Sequence, residues 1–197
     1  MLILASQSAS RRALLSAAGV PHEAVSPSVD EDAAKAGLRA QGVEARGLAD
    51  ALAEFKALKL SARRPGDLVL GCDQVLVLDD GSTLDKAIDR EDAKAQLTRL
   101  RGNTHRLISA AVICEGGTPV WRHIDVAKLT MRSFSNDFLE AYLDSEWPGV
   151  SGCVGCYQLE GRGSQLFARI EGSHFTILGL PLLSLLDYLR TRGIMTS

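Results

Sequence analysis

Leu68-Val69-Leu70-Gly71-Cys72-Asp73-Gln74-Val75-Leu76-Val77-Leu78 is a nearly continuous apolar run. A strand exposed on one face alternates apolar with polar residues, whereas one buried on both faces does not. The run therefore predicts a central strand covered by helices on either side, and an α/β fold around it. Its one charge is Asp73. A carboxylate buried there without a partner costs several kcal/mol, so it must be paired, bound to a metal, or placed where the strand meets solvent. That requirement makes Asp73 the leading candidate for chemistry. Gln74 falls on the opposite face, unless Gly71 introduces a bulge.

Working towards the N-terminus, Leu2–Ala5 reads as a second buried strand and Arg12–Ala18 as a helix closed by Gly19, with the polar stretch Ser6–Ser10 between them. A strand, a polar turn and a helix start present free backbone N–H groups to an anion. Ser6, Ser8, Ser10, Arg11 and Arg12 add hydroxyls and two guanidiniums in seven residues. Such a set suits a polyphosphate, and equally a Ser cap followed by solvent-facing arginines. The paired glycines and Lys of a Walker loop are missing. Between these strands, 31–63 is Ala-rich and helical in propensity, with interruptions expected near Gly37, Gly42 and Gly47. Asp30 and Glu31 stand at its start, and Lys56 lies within it.

Working towards the C-terminus, Asp79-Asp80-Gly81 is a turn, and Lys86 follows it where the chain can return towards the strand end. Asp89 caps a helix running to Leu100. His105–Cys114 and Val120–Met131 read as strands paired in a hairpin. Another helix spans Ser135–Asp144, a Gly-rich loop spans Gly149–Gly163 with Glu160 in it, a short strand spans Leu166–Ile170, and a last helix follows Pro181.

The 22 Lys plus Arg against 24 Asp plus Glu give a net charge of −2. Adhesion to nucleic acid or an anionic membrane needs a cationic excess, and only 5% of residues are aromatic, which disfavours a stacking platform for bases. Any phosphate chemistry is therefore local. With 46% hydrophobic and 23% charged residues, one domain spanning 1–197 is expected. There is no secretory leader and no apolar run long enough to span a membrane, so a cytoplasmic protein with reduced thiols is expected. Cys153 and Cys156 form a C-x-x-C pair, but Cys72 and Cys114 lack partners at zinc spacing, and small buried thiols are the favoured reading.

Taken in order, the motifs resemble those of the Maf family of nucleoside triphosphate pyrophosphatases. The matching residues are Ile3-Leu4-Ala5-Ser6-x-Ser8 with Arg11-Arg12, Pro27-x-Val29-Asp30-Glu31, Leu52-Ala53-x-x-Lys56-Ala57 and Gly71-Cys72-Asp73-Gln74-Val75. They continue through Leu100-x-Gly102-x-x-His105, Gly155-x-Tyr157-x-x-Glu160-Gly161-x-Gly163 and Gly179-Leu180-Pro181-Leu182. The resemblance implies a two-lobed fold with an elongated mixed sheet flanked by helices and a substrate cleft, similar to inosine triphosphate pyrophosphatases. It implies cleavage between the α and β phosphates of a nucleoside triphosphate with Mg²⁺ or Mn²⁺, and it suggests a dimer. On this sequence Asp73 would activate water or hold the metal, with Glu31 assisting at the metal. Ser6, Ser8, Arg11, Arg12, Lys56 and Lys86 would hold the phosphates. Ser10, Gln74 and Glu160 stand at positions that separate subgroups. The spacing of the Arg pair, Gln74 and Glu160 resemble the members acting on 7-methyl-GTP, although Ser10 replaces their large aromatic. A contrasting expectation is a non-catalytic nucleotide sensor linked to septum formation.

Overall fold

A computed structural model of the protein describes residues 1–196. Its elements begin with β1 (Leu2–Ala5), α1 (Ala9–Ala17), β2 (His22–Ala24), α2 (Glu31–Ala40) and α3 (Ala45–Ser61). They continue with β3 (Leu68–Leu78), β4 (Thr83–Leu84), α4 (Arg90–Leu100), β5 (Thr104–Glu115) and β6 (Thr118–Met131). The chain then forms α5 (Asn136–Glu146), β7 (Phe167–Glu171), α6 (His174–Ile177) and α7 (Leu182–Thr191). The strands make one open mixed sheet in the order β2-β1-β3-β5-β6-β7, with β4 paired to β3. β1 runs parallel to both β2 and β3, while β4 and β7 are antiparallel to their neighbours.

The apolar run is the central strand that its composition demands: every residue of β3 is buried except the half-buried Gln74. β5 and β6 are joined by Gly116-Gly117, whose φ values of +56° and +78° identify a type I′ turn. That turn requires positive φ at both central positions, and its twist matches that of the strands. Asp89 caps α4 as the sequence predicts, and three further side chains cap helices. Ser8, Asp30, Asp89 and Ser135 each accept a first-turn N–H of α1, α2, α4 and α5. Two expectations shift. α1 starts at Ala9, inside the stretch read as a polar turn, because Ser8 caps it. Of the three glycines expected to interrupt 31–63, only Gly42 separates helices, whereas Gly37 lies within α2 and Gly47 within α3. A helix tolerates an interior Gly at about 1 kcal/mol.

Two compact units divide the chain. One comprises 1–74, 108–125 and the residues from Ser173 on; the other comprises 75–107 and 126–172. In the first, alternation along the strands sorts side chains to two faces. Leu2, Leu4, Leu68, Leu70, Cys72, Ala111 and Ile113 pack with Leu14 and Leu15 of α1 and Leu182, Leu185 and Leu189 of α7. Gly71 and Asp73 take the other face, towards α3. Gly71 is not a bulge, since the β1–β3 register runs unbroken from Leu2↔Leu68 to Ala5↔Gly71. It is a close approach: a Cβ there would lie 2.0 Å from the Ala53 carbonyl oxygen and 2.8 Å from the Ala57 nitrogen. Backbone cannot yield as a side-chain tip can, so Gly71→Ala should destabilise by about 3 kcal/mol. A denaturant titration showing an unchanged midpoint would contradict that packing.

In the second unit, α4 and α5 are linked by Arg90 to Glu140 at 2.9 Å and by the Lys94–Glu140 ion pair. His105 is fully buried and its Nε2 lies 2.7 Å from the Tyr157 hydroxyl, while Nδ1 has no hydrogen-bond partner. Burial pushes the imidazole down to about 4. The folded state therefore resists protonation that the unfolded chain accepts below about pH 6.5. Stability is fully present above that pH and is lost as pH falls through about 4, by an amount on the order of 3 kcal/mol. Denaturation midpoints measured from pH 7 to 4 should fall more steeply for the native chain than for His105→Gln.

Of the C-x-x-C pair, Cys156 is buried as expected and Cys153 is half-buried. The two cysteines are not joined in a disulfide, and burial raises the Cys156 thiol to about 12 and the Cys153 thiol above its usual value. Among the described residues, no helix is long and apolar enough to cross a membrane.

Candidate active site

Gly71 brings α3 against β3, and the consequence appears two residues along the strand. Lys56, one turn beyond Ala53 on α3, reaches Asp73 with Nζ 2.7 Å from Oδ1. The same ammonium lies 3.0 Å from Oε2 of Glu31, the first residue of α2. Lys56 and Asp73 are each only 5% exposed, whereas Glu31 is partly open to solvent. Two carboxylates thus share this cation. Asp73 is paired through Oδ1 alone: Oδ2 is buried without a hydrogen-bond partner. An unsatisfied buried oxygen is costly and calls for a functional account.

A second tie delivers Glu31. Lys59, three residues after Lys56 and on the same face of α3, donates to the carbonyl of Ser28. Ser28 has a φ of +48°, in the left-handed region that non-glycine residues avoid. α3 therefore pins the loop ahead of α2 as well as the acid at its start. Lys59 went unnoticed in the sequence, although its spacing from Lys56 placed both on one helical face.

The Ser6–Arg12 segment surrounds the start of α1. Ser8 accepts the Arg11 N–H through Oγ at 3.4 Å, and its own N–H donates to Ser6 Oγ at 3.2 Å. The first-turn amides of Ala9 and Ser10 have no acceptor within the helix, as at any helix start. Arg12 is exposed and Ser10 half-exposed. Arg11 is buried: Nε donates to the Gly179 carbonyl at 2.8 Å, and Nη1 to the Cys72 carbonyl at 3.0 Å and to Ser6 Oγ at 3.4 Å. Gln74 faces away from Asp73, as strand alternation requires, and its Nε2 donates to Ser109 Oγ and to the Thr176 and Ile177 carbonyls at 2.9–3.0 Å. Lys86 and Glu160 belong to the other unit, where both are exposed. Within the first unit the structure thus joins Asp73, Lys56 and Glu31 directly, and joins Ser6, Ser8 and Arg11 to them through the Cys72–Asp73 peptide.

The Maf-like protein family model matches residues 1–192. The chain belongs to the Maf family. A relative from Caulobacter vibrioides, named nucleoside triphosphate pyrophosphatase, is 54% identical over 193 residues, covering 98% of this chain and 96% of its own. One from Jannaschia sp., named nucleoside triphosphate pyrophosphatase 1, is 53% identical over 194 residues and 98% of each chain. The Rhodospirillum rubrum relative, also named nucleoside triphosphate pyrophosphatase, is 51% identical over 196 residues, covering all of this chain and 96% of its own. As Maf residues, Lys56 and Asp73 form an ion pair whose disruption has a measurable sign. Removing one partner of a buried pair leaves the other charge uncompensated, at about 3–5 kcal/mol. Lys56→Met should therefore destabilise more than Asp73→Asn, which leaves Lys56 its bond to Glu31. The double variant should lose less than the sum of the two, measured as a double-mutant cycle by urea unfolding.

Proposed function

We propose that this Maf protein is a nucleoside triphosphate pyrophosphatase that cleaves between the α and β phosphates, releasing a nucleoside monophosphate and pyrophosphate. The observation that carries the proposal is the buried, unpartnered Oδ2 of Asp73 beside an ammonium held by two carboxylates. Family membership and the names of its relatives agree with it. In the proposed reaction, Asp73 Oδ2 takes a proton from water as the water oxygen bonds to the α phosphorus. The bond from that phosphorus to the bridging oxygen breaks, and pyrophosphate leaves with the electron pair. Lys56 holds Oδ1 and so fixes which oxygen accepts the proton. An ammonium has three donors, and the carboxylates take two; the third suits a phosphate oxygen. Arg12, the Ser8 hydroxyl and the open amides of α1 complete the proposed charge compensation, which is what phosphoryl transfer chiefly needs.

The residues fit a divalent cation. Among the described residues no cluster of three or more His, Cys, Asp or Glu side chains is assembled to hold one. Mg²⁺, however, is commonly held by one or two carboxylates together with substrate phosphates. Glu31 is a hard oxygen donor of that kind, and so is Asp73 Oδ2, which would serve as a ligand in place of its use as a base. A bound ion would lower the pKa of its water and neutralise phosphate charge.

For the base, we propose a methylated guanine as in 7-methyl-GTP. Gln74 and Glu160 stand as in the members that act on 7-methyl-GTP, and an acidic side chain such as Glu160 suits a cationic ring. A pyrophosphate-release screen with Mg²⁺ or Mn²⁺ over standard, methylated and deaminated triphosphates tests both levels. Release should be fastest with 7-methyl-GTP, and Asp73→Asn should lower turnover by about 100-fold or more. Tight nucleotide binding without pyrophosphate release would replace an enzyme with a sensor, and a preference for dTTP or UTP would overturn the base assignment alone.

A further inference from the structure

We propose that Arg11 is a positioning residue for Asp73, holding the Cys72–Asp73 peptide in place where backbone pairing stops, and is not a ligand of the phosphates. The inference rests on the role given to Asp73 above. β1 pairs with β3 up to Ala5↔Gly71 and then ends, because the chain turns into α1. One residue further along β3, the Cys72 carbonyl receives Arg11 Nη1 at 3.0 Å. The same nitrogen lies 3.4 Å from the hydroxyl of Ser6, the residue that follows β1. A side chain thus continues the ladder that the strand no longer supplies, at the peptide that carries Asp73.

The other end of the guanidinium is equally committed. Nε donates to the Gly179 carbonyl at 2.8 Å, and a Cβ on Gly179 would lie 3.1 Å from Nε and 3.2 Å from Nη2. Gly179 also has a φ of +90°, which L side chains rarely adopt. The turn 176–179 is therefore shaped to receive a guanidinium, and the carbonyls of Thr176 and Ile177 in it accept from Gln74. Asp73 is flanked in sequence by two residues tied to one turn: Cys72 through Arg11, and Gln74 directly. Arg11 is 9% exposed, and its Nε and Nη1 point at internal oxygens. Arg12, next in sequence, is exposed and suits the phosphate role.

A lysine can satisfy one carbonyl but has no planar fork to span two. The test compares Arg11→Lys, Gly179→Ala and Arg12→Lys in the full chain, each first shown to be folded by thermal unfolding. Pyrophosphate-release kinetics are then measured, together with calorimetric binding of pyrophosphate itself. A positioning role lowers kcat by roughly tenfold or more in Arg11→Lys and in Gly179→Ala, while KM and pyrophosphate affinity stay within about twofold. Arg12→Lys should instead raise KM. A rise in KM with loss of pyrophosphate binding in Arg11→Lys would make Arg11 a phosphate ligand and overturn the inference, as would unchanged kinetics. Gly179→Ala, which keeps the guanidinium, decides the matter if Arg11→Lys does not fold. If the native chain releases no pyrophosphate from any nucleotide, the proposed function fails, whereas the binding measurement still decides whether Arg11 contacts phosphate.

Discussion

One ammonium between two carboxylates is the constraint around which the first unit is arranged. Lys56 can occupy that position only because α3 lies against β3 closely enough for its backbone to touch Gly71. Burying an ion pair costs desolvation of both charges, and good geometry returns only part of it. Such a pair is a poor way to gain stability, and its presence at the centre of a strand is better explained by what it does to Asp73. With Oδ1 held, Oδ2 faces its surroundings with a fixed direction and no partner. Arg11 holds the Cys72 carbonyl and Gln74 is tied to the Thr176 carbonyl, so the acid is constrained through its side chain and through its neighbours on either side.

Much of this architecture could be read from residue patterns. Continuous burial of Leu68–Leu78, the Gly116-Gly117 hairpin and the caps at Ser8, Asp30, Asp89 and Ser135 all follow from local rules of periodicity and hydrogen bonding. Asp73 stood out because a lone charge in an apolar run needs an explanation. The short elements β4 and α6 carry too few residues to show a period. Gly71 suggested a bulge because the sequence marks the absence of a side chain without saying what fills the space, and the occupant, α3, comes from a helix placed earlier in the chain.

The site was legible in residue type more than in partnership. Lys56 resembled any surface lysine until its buried partner was known. Arg11 and Arg12 are chemically identical neighbours, yet one is buried against two carbonyls and the other is exposed. That difference depends on a turn more than 160 residues away, since Gly179 and Arg11 are 168 positions apart. No local pattern encodes such a contact. Gln74 presents the same difficulty, because its role depends on carbonyls of Thr176 and Ile177 that any residue type would supply.

Placing the acid in mid-strand has a consequence for how the protein can diversify. Asp73 lies on a buried strand and is fixed by backbone-level contacts, whereas Lys86 and Glu160 occupy exposed positions outside long helices or strands. Substitutions, insertions and deletions in those exposed segments leave the β3–α3 packing intact. Lineages can therefore accumulate changes in such exposed segments while inheriting the contact between β3 and α3 unchanged. The rigidity of one strand is in this sense what leaves the exposed segments free to vary.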